Sequence, residues 1–395
     1  MNLLKQCKQL LKTRSLQNEL AFQISYFSKL QNRKIISLSG KDAKRKIKQI
    51  IQIIKEFQSI LQGIQTNDMN LFSQKSSKAA LYTQFLNPQG RIIFDALIVR
   101  PQVVVQGELK IKEDEYWIDL ESKQGADFIK HIKKYCLRKR VSLADFTNKV
   151  DVITIYSDLI MQQKEKEGDY WNFLDSSIYE KTQEEIYTQV CYSDPRCSNI
   201  GMRCIVPSQD KLQLDKSIQE KSQDIYEAQR LILGIAQGSE IADRLPFTVN
   251  LDFLNGVSFT KGCYVGQELT ARTYHTGIVR RRVVPFIIGD DQKLQFQNNI
   301  INPSGIKIYD PNFSESLEGE AMLDKNQNEI GKILYNKGNV GVGLVKYLEK
   351  GTDNEDLSFQ TKNFKGQLIY SSWLNEKISE YVKIIKEKEE KAAMF

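Results

Sequence analysis

The pattern of the chain changes after Pro246, and this change limits the folds that the chain can adopt. From Arg280 to Leu348, short segments of alternating polar and apolar residues are separated by turn residues such as Gly338. Short strands at close, regular spacing are typical of a small antiparallel β-barrel. We therefore predict a barrel domain over residues 275–375, followed by a charged helix over residues 376–395.

The earlier part of the chain mixes strand and helix patterns. Its strands alternate in polarity, whereas its helices repeat apolar residues on one face. The predicted elements are a strand over Arg33–Leu38, a long helix from Ala43 to Leu61, a β-hairpin of Ala80–Leu86 and Arg91–Arg100 around the turn Asn87–Gly90, and a helix carrying Phe128, Ile129, Ile132 and Tyr135.

Composition excludes several classes of protein. Hydrophobic residues make up 41% of the 395 residues, which is enough for two or three packed units. The net charge is +7, but the basic residues are spread beside 49 acidic ones, so we expect no nucleic-acid partner. No apolar run reaches the ~18 residues of a membrane span. The six cysteines include no C-x-x-C pair, which argues against a zinc ribbon or a self-contained iron–sulfur site.

Histidine is scarce, since only His131 and His275 occur. His131 lies between lysines of a predicted helix and is expected to be a surface residue. His275 follows the cysteine segment described below, so a role there stays open. A serine or cysteine hydrolase with a histidine base is therefore poorly supported, and the sequence contains no P-loop or G-x-G-x-x-G motif.

The N-terminus has the pattern of a mitochondrial transit peptide. Four basic residues precede the first acidic residue, Glu19, and leucines recur at helical spacing. An amphipathic, basic and acid-poor segment is typical of such peptides. We predict a transit peptide over residues 1–29, with the folded chain beginning near Leu30.

The segment Asn255–Glu268 carries the strongest chemical signal. Gly262 and Gly266 flank Cys263 and would permit a sharp backbone and a close approach by a ligand or partner. Lys261 places a cation two residues from the thiol, which would favour the thiolate that binds metals. A buried cysteine in a tight turn is the alternative, and spacing alone leaves it open.

The sequence KGCYVGQE, from Lys261 to Glu268, resembles the signature of the YgfZ-type proteins, and the longer stretch Asn250–Thr273 is similar to their mitochondrial members. The resemblance extends over about Leu30–Lys350. Further segments occur in the order of the family: Ser39–Ala43, Thr66–Asp68, Phe85–Asp95, Leu137–Val141, Ser193–Arg196 and Asn328–Lys346.

The resemblance implies an α+β fold. Its GcvT-like, folate-binding lobes would interleave around a central cavity over residues 30–274, before the C-terminal antiparallel β-barrel. It also implies tetrahydrofolate as a cofactor. The implied cavity residues are Asn87, Arg91 and Asp95, and the implied functional motif is Lys261, Gly262, Cys263, Tyr264, Gly266, Gln267 and Glu268.

The implied function is late iron–sulfur cluster assembly in the mitochondrial matrix. Members of the family act with A-type carriers and serve apoproteins of four-iron enzymes such as aconitase, lipoate synthase and respiratory proteins. Because a cluster needs about four ligands and Cys263 supplies one, we expect a two-iron cluster shared between Cys263 and a partner protein.

Two other functions share the implied fold. One is a folate-dependent aminomethyltransferase like the glycine-cleavage T-protein, whose equivalent region lacks the cysteine signature. The other is a structural subunit of a mitochondrial complex, against which the intact motif argues.

The chain departs from the family pattern in two places. Residues 44–59 and 158–189 are longer than expected and are interpreted as surface insertions. Cys191, Cys197 and Cys204 match no common metal-ligand spacing, so we expect solitary cysteines in the core.

Overall fold

The structure is a computed structural model, and the residues that it describes are 26–40, 58–72, 78–106, 108–136, 141–156, 170–171, 186–208, 210, 218–289, 300–301, 308–346 and 357–393. The predicted transit peptide, most of the helix predicted from Ala43 and most of the two insertions lie outside these residues. Residues 58–64, at the end of the predicted long helix, are helical.

The elements confirm an α+β fold. The helices are α1 Gly125–Tyr135, α2 Gln223–Ile232, α3 Gln267–Thr276 and α4 Ser372–Ala393. The strands are β1 Tyr26–Leu30, β2 Arg33–Gly40, β3 Ala80–Leu86, β4 Ile92–Val99, β5 Gln102–Val105, β6 Glu108–Ile111, β7 Glu115–Glu121, β8 Val141–Asp145, β9 Val150–Tyr156, β10 Tyr170–Trp171, β11 Ile186–Tyr187, β12 Val190–Ser193, β13 Met202–Pro207, β14 Gln219–Glu220, β15 Arg281–Ile288, β16 Ile300–Ile301, β17 Ala321–Leu323, β18 Glu329–Lys337, β19 Val340–Lys346, β20 Ser358–Gln360, β21 Lys365–Leu368 and β22 Tyr370–Ser371.

The first sheet has the strand order β3-β4-β7-β2-β8 and is antiparallel. Side chains of a strand point alternately to the two faces of a sheet. On one face Phe85 and Phe94 meet Phe128 and Ile132 of α1, which confirms these two residues of the predicted apolar face, whereas Tyr135 is exposed. The predicted hairpin is confirmed as well, since β3 and β4 pair from Ala80 opposite Val99 onward.

The second sheet has the order β10-β12-β13-β9-β1-β14, and it packs against the other face of the first sheet. There Tyr82, Leu97 and Trp117 of the first sheet share a core with Val152 and Tyr192 of the second sheet. Two short strands within the second insertion pair with other strands: β10 pairs with β12, and β11 pairs with β5.

The folded chain begins earlier than predicted. β1 pairs antiparallel with β9 along Tyr26–Leu30, and the Ser28 hydroxyl hydrogen-bonds the Tyr156 hydroxyl at 2.9 Å. The predicted start of the folded chain near Leu30 is therefore four residues late, because Tyr26–Lys29 form part of a sheet, while the transit peptide itself stays a prediction. Their strand partners are distant in sequence, so the local pattern did not reveal the pairing.

The predicted antiparallel barrel is confirmed. It is closed by the strands β15-β19-β18-β17-β20-β21, and its interior includes Phe286, Met322 and Phe359. Helix α2 packs on the outside of the barrel, where Leu231 and Ile232 share a core with barrel residues. The C-terminal helix α4 is tied to the segment after α2, since the Trp373 indole N–H donates to the Leu233 carbonyl at 3.1 Å.

Cys191 and Cys204 are not solitary, so that prediction is wrong for these two residues. They lie directly opposite each other on β12 and β13 and form a disulfide, whereas Cys197 is buried and is not in a disulfide. Pairing across adjacent strands depends on register, which the spacing of the cysteines does not reveal.

A cluster of buried charges joins the two sheets. We call Arg33, Asp119, Asp194, Arg196 and Arg203 the central ionic cluster. Asp119 accepts hydrogen bonds from Arg33 of its own sheet at 2.7 Å and from Arg203 of the second sheet at 2.6 Å. Asp194 accepts two side-chain hydrogen bonds from Arg196, at 2.9 and 2.8 Å. These pairs satisfy charges that would otherwise be costly to bury.

The substitution Asp119→Asn should lower the free energy of unfolding by about 3–5 kcal/mol, because it leaves buried arginine charge without its carboxylate. The matched control is Asp127→Asn, since Asp127 pairs with Lys130 on the exposed surface of α1. Its loss should stay below about 1 kcal/mol. Urea unfolding of both variants at neutral pH measures the difference.

The same pairs set the acid dependence of stability. Burial alone raises the pKa of Asp119, but Arg33 and Arg203 outweigh it, so the pKa lies below its ordinary range. Arg196 does the same for Asp194. When the pKa of an acid is lower in the folded than in the unfolded protein, the acid contributes its full stabilisation above the unfolded pKa of about 3.9. This contribution is lost as the pH falls through the folded-state pKa. Wild type should therefore lose more stability than Asp119→Asn below pH ~4; equal slopes would contradict this assignment.

Candidate functional site

The segment that carries Cys263 begins at the barrel. A short 3₁₀ helix, Pro246–Val249, ends at Asn250, whose backbone is left-handed with φ of 63°. The Asn250 side chain is fully buried and donates to the carbonyl of Val283, on the first barrel strand, at 2.8 Å. This contact fixes where the segment leaves the barrel.

The predicted motif Thr66-Asn67-Asp68 holds the first part of the segment. The Thr66 hydroxyl donates to the Gly256 carbonyl at 2.6 Å, and the Ser258 N–H donates to the Thr66 carbonyl at 3.0 Å. The Asn67 side-chain amide donates to the Asn255 carbonyl at 2.8 Å. Two stretches almost two hundred residues apart in sequence therefore form one hydrogen-bonded unit.

Lys261 anchors the segment from within. Its Nζ donates to the carbonyls of Gln65 at 2.5 Å and Asn67 at 2.8 Å, and it lies 4.8 Å from the centre of the Tyr264 ring. Burial lowers the pKa of Lys261 to about 7, and Asp68 opposes this effect. The Lys261 ammonium, which was predicted to lie beside the thiol, thus hydrogen-bonds two backbone carbonyls. These hydrogen bonds fix the loop.

Gly266 fits the loop against the β3–β4 hairpin. Its φ is +78°, and an added Cβ would lie 2.4 Å from the carbonyl oxygen of Asn87. Both the left-handed backbone and this contact require glycine at the position. Gln267 then closes the turn, because its side-chain oxygen accepts the N–H of Tyr264 at 3.1 Å while its own N–H donates to the Tyr264 carbonyl.

Cys263 is exposed and is not in a disulfide, which excludes the alternative of a buried cysteine. Gly262 is exposed too, and an added Cβ there would meet open space. Glu268, in the first turn of α3, is also exposed. The loop therefore presents a thiol to solvent from a backbone whose neighbours Lys261 and Tyr264 are buried. Among the described residues, no group of three or more His, Cys, Asp or Glu is placed to hold a metal ion.

The two histidines differ in their surroundings. His275 is exposed near the end of α3, with its ring 5.1 Å from that of Tyr274. His131 is half-buried and packs against Phe94, with a centroid separation of 5.5 Å, so it is less exposed than predicted. Burial and the nearby Lys134 lower its pKa.

The three predicted cavity residues occupy different surroundings. Asn87 and Arg91 lie at the exposed hairpin turn, where the Arg91 side chain donates to the Asp243 carbonyl at 2.7 Å. Asp95 is buried between the sheets and accepts the N–H of Gly238 at 2.7 Å and the Tyr82 hydroxyl at 3.2 Å. Burial raises the pKa of Asp95, with Arg33 opposing the shift.

Gln84 is a polar residue at this position that the sequence reasoning missed. It is fully buried directly opposite Asp95 on the neighbouring strand. Among the described residues, neither atom of its side-chain amide makes a hydrogen bond of good geometry, although the amide interacts with the Tyr82 hydroxyl and opposes the rise in the pKa of Tyr82. The sequence of β3 could have indicated this residue, because Tyr82 and Gln84 alternate as polar-tipped side chains on a fully buried, mostly apolar strand.

Comparisons with solved structures agree with the observed architecture. The glycine cleavage system aminomethyltransferase T of Bartonella henselae matches with a TM-score of 0.57 over 89% of this chain and 87% of that protein, at 12% identity. At this identity the likeness shows the fold alone. No helix in the described part of the chain combines the length and apolar character needed to cross a membrane.

Comparisons with curated proteins give the family. No family model matches the chain. The mitochondrial iron–sulfur cluster assembly factor IBA57 homolog of Neosartorya fischeri is 30% identical over 348 residues, which are 83% of this chain and 71% of that protein. The homolog of Aspergillus oryzae is 30% identical over 369 residues, 88% of this chain and 75% of that protein. The chain therefore belongs to the family of the mitochondrial iron–sulfur cluster assembly factor IBA57.

Proposed function

We propose that this protein is a mitochondrial iron–sulfur cluster assembly factor that acts through Cys263. The observation that carries the proposal is an exposed, free thiol on a loop that buried neighbours hold in place. A ligand held in this way is pre-organised, so little conformational entropy is lost when it binds. The curated relatives are named for cluster assembly.

The cluster would be cargo that this protein shares with a partner. Iron–sulfur clusters are held by about four thiolate-type ligands. Cys263 contributes one, and the partner contributes the others from its own cysteines. The partner we propose is an A-type carrier, and the recipients are the apoproteins of four-iron enzymes such as aconitase and lipoate synthase.

Cys263→Ser tests the ligand role. Because the side chain is exposed, the substitution should change the free energy of unfolding by no more than about 0.5 kcal/mol. The cluster-bridged complex with an A-type carrier should be lost or become labile, because a serine hydroxyl is a poorer ligand than a thiolate for iron–sulfur clusters. Anaerobic mixing with carrier and a two-iron cluster, followed by visible absorption and co-elution, measures the complex.

The buried Cys197 provides the control, since Cys197→Ala leaves the exposed thiol in place. That variant should form the cluster-bridged complex as wild type does. A Cys263→Ser protein that still holds the cluster with a carrier would overturn the ligand role. Cells carrying only Cys263→Ser should lose aconitase activity and keep two-iron ferredoxin, a separation that a general folding defect does not produce.

Tetrahydrofolate is the second ligand that we propose. The residues between the sheets suit a heteroaromatic ring with amide-like edges, because the buried Gln84 amide is poorly hydrogen-bonded among the described residues and lies beside the Asp95 carboxylate. Asp95 and Gln84 would hold the ring, and Asn87 and Arg91 would lie toward the outer rim. Folate supplies one-carbon chemistry in the aminomethyltransferases, whereas the proposal for this protein concerns binding alone.

Gln84→Leu separates ligand binding from folding. Replacing this poorly hydrogen-bonded buried amide with an apolar side chain of similar size should leave stability unchanged or increase it. Tetrahydrofolate affinity should nevertheless fall roughly tenfold or more, since hydrogen bonds to the ring are lost. Calorimetric titration of Gln84→Leu, Asp95→Asn and the control Asp324→Asn, in the turn between β17 and β18, measures this. Unchanged affinity in the first two variants would contradict the proposed folate site.

The mitochondrial matrix is the location that we propose, and the N-terminal sequence provides the test. Changing Lys5, Lys8, Lys12 and Arg14 to glutamate should abolish import, because transit peptides depend on positive charge and a low content of acidic residues. Import into isolated mitochondria, with protease protection, measures the effect. Unchanged import into the matrix would show that these residues are not an import signal.

The alternatives make different predictions for the purified protein. A folate-dependent aminomethyltransferase would turn over an aminomethyl donor with tetrahydrofolate, and Cys263→Ser would not affect this activity. A structural subunit would be recovered within a large mitochondrial assembly. Either result would count against an assembly factor that acts through Cys263.

A further inference from the structure

A groove lies along helix α3, next to the Cys263 loop. Its volume is about 300 Å³, and it is open to solvent. The apolar lining includes Leu245, Phe247, Leu269 and Ile278. Ile278 is 42% exposed, so the groove presents apolar surface to solvent. We call this feature the α3 groove.

The charged residues that line the α3 groove are all basic. Arg280 and Arg281 line it, both are exposed, and no acidic residue lines it. In the described part of the chain neither arginine has an acidic partner. Their neighbour Arg282 is the contrast, because it is buried and bonds both carboxylate oxygens of Asp252 at 2.8 Å. Two cations over an apolar floor are complementary to an acidic partner.

An exposed aromatic pair lies near the groove. Phe259 and Tyr274 stack with ring centroids 3.6 Å apart, and they are 42% and 44% exposed. Phe259 precedes Cys263 by four residues, and Tyr274 follows Thr273, which lines the groove. Aromatic and arginine side chains are the types most enriched at the centres of protein–protein interfaces.

The α3 groove and the thiol share one helix. Cys263 lies four residues before the start of α3 at Gln267, and Leu269, Thr270 and Thr273 of α3 line the groove. At about 1.5 Å per residue, these side chains are spread over less than ~10 Å from the start of the helix. A protein that occupies the groove is therefore brought close to Cys263.

We propose that the α3 groove docks an acidic segment, with large apolar side chains, of the protein that shares the cluster with Cys263. The proposal rests on the proposed function, because that function supplies the partner. Docking and cluster bridging are separate contributions: the groove supplies side-chain contacts with the partner, and Cys263 supplies the metal–ligand bond.

The test compares binding of an A-type carrier without and with a two-iron cluster. The groove variants are Arg280→Glu with Arg281→Glu, and Ile278→Ser alone. The matched control is Lys325→Glu with Lys332→Glu, which makes the same change of charge on the exposed β17–β18 hairpin of the barrel. Circular dichroism confirms that each variant is folded, and calorimetry measures carrier affinity at low salt and at about 0.15 M salt, where charges are screened beyond ~8 Å.

Both groove variants should bind the cluster-loaded carrier at least ~10-fold more weakly than wild type, and the charge-reversed variant should lose the salt dependence. The control should bind it as wild type does, whereas Cys263→Ser should lose the bridged cluster. Groove variants with wild-type affinity would overturn the docking proposal, even if Cys263→Ser loses the bridged cluster. If wild type binds the carrier neither with nor without a cluster, the proposed function fails, and the docking proposal fails with it.

Discussion

The shared carboxylate of Asp119 is the interaction on which the arrangement of the two sheets depends. It receives Arg33 from its own sheet and Arg203 from the other, so one buried acid fixes the distance and rotation between two layers. Apolar contacts alone tolerate small shifts, whereas two charge-assisted hydrogen bonds to one group do not. Asp95 and Gln84 lie on the same face of the first sheet as Asp119, so their positions between the sheets follow from this constraint.

The Cys263 loop depends on a different kind of contact. The loop is anchored through backbone carbonyls. Those of Gly256 and Asn255 accept hydrogen bonds from the side chains of Thr66 and Asn67, and Lys261 of the loop donates to the carbonyl of Asn67. Because these anchors use main-chain groups, they do not depend on the side chains of the loop. The side chains between the anchors can therefore contact a ligand or partner. This explains why Gly262 and Cys263 are exposed while Lys261 and Tyr264 on either side are buried.

Local signals in the sequence were sufficient for the elements that local physics determines. The Asn87–Gly90 turn between two alternating runs predicted the β3–β4 hairpin, and repeated short strands predicted the barrel. The family signature identified Cys263. None of these signals predicted that Lys261 would hydrogen-bond the carbonyls of Gln65 and Asn67, because those residues lie almost two hundred positions earlier in the chain. The Cys191–Cys204 pairing and the poorly hydrogen-bonded amide of Gln84 were missed for the same reason, since both depend on which strands become neighbours.

The position of β1 has a consequence for how the chain reaches its final form. Ser28, in this first strand, bonds to Tyr156, 128 residues later, and to the Ser222 carbonyl, 194 residues later. Contacts of such long range close slowly, because a large loop must be ordered first. When a chain is synthesised or threaded N-terminus first, β1 keeps unpaired backbone groups until β9, which supplies its antiparallel partner up to Tyr156, has followed. The first strand to be made is thus an open sheet edge during early synthesis, available for pairing with another chain.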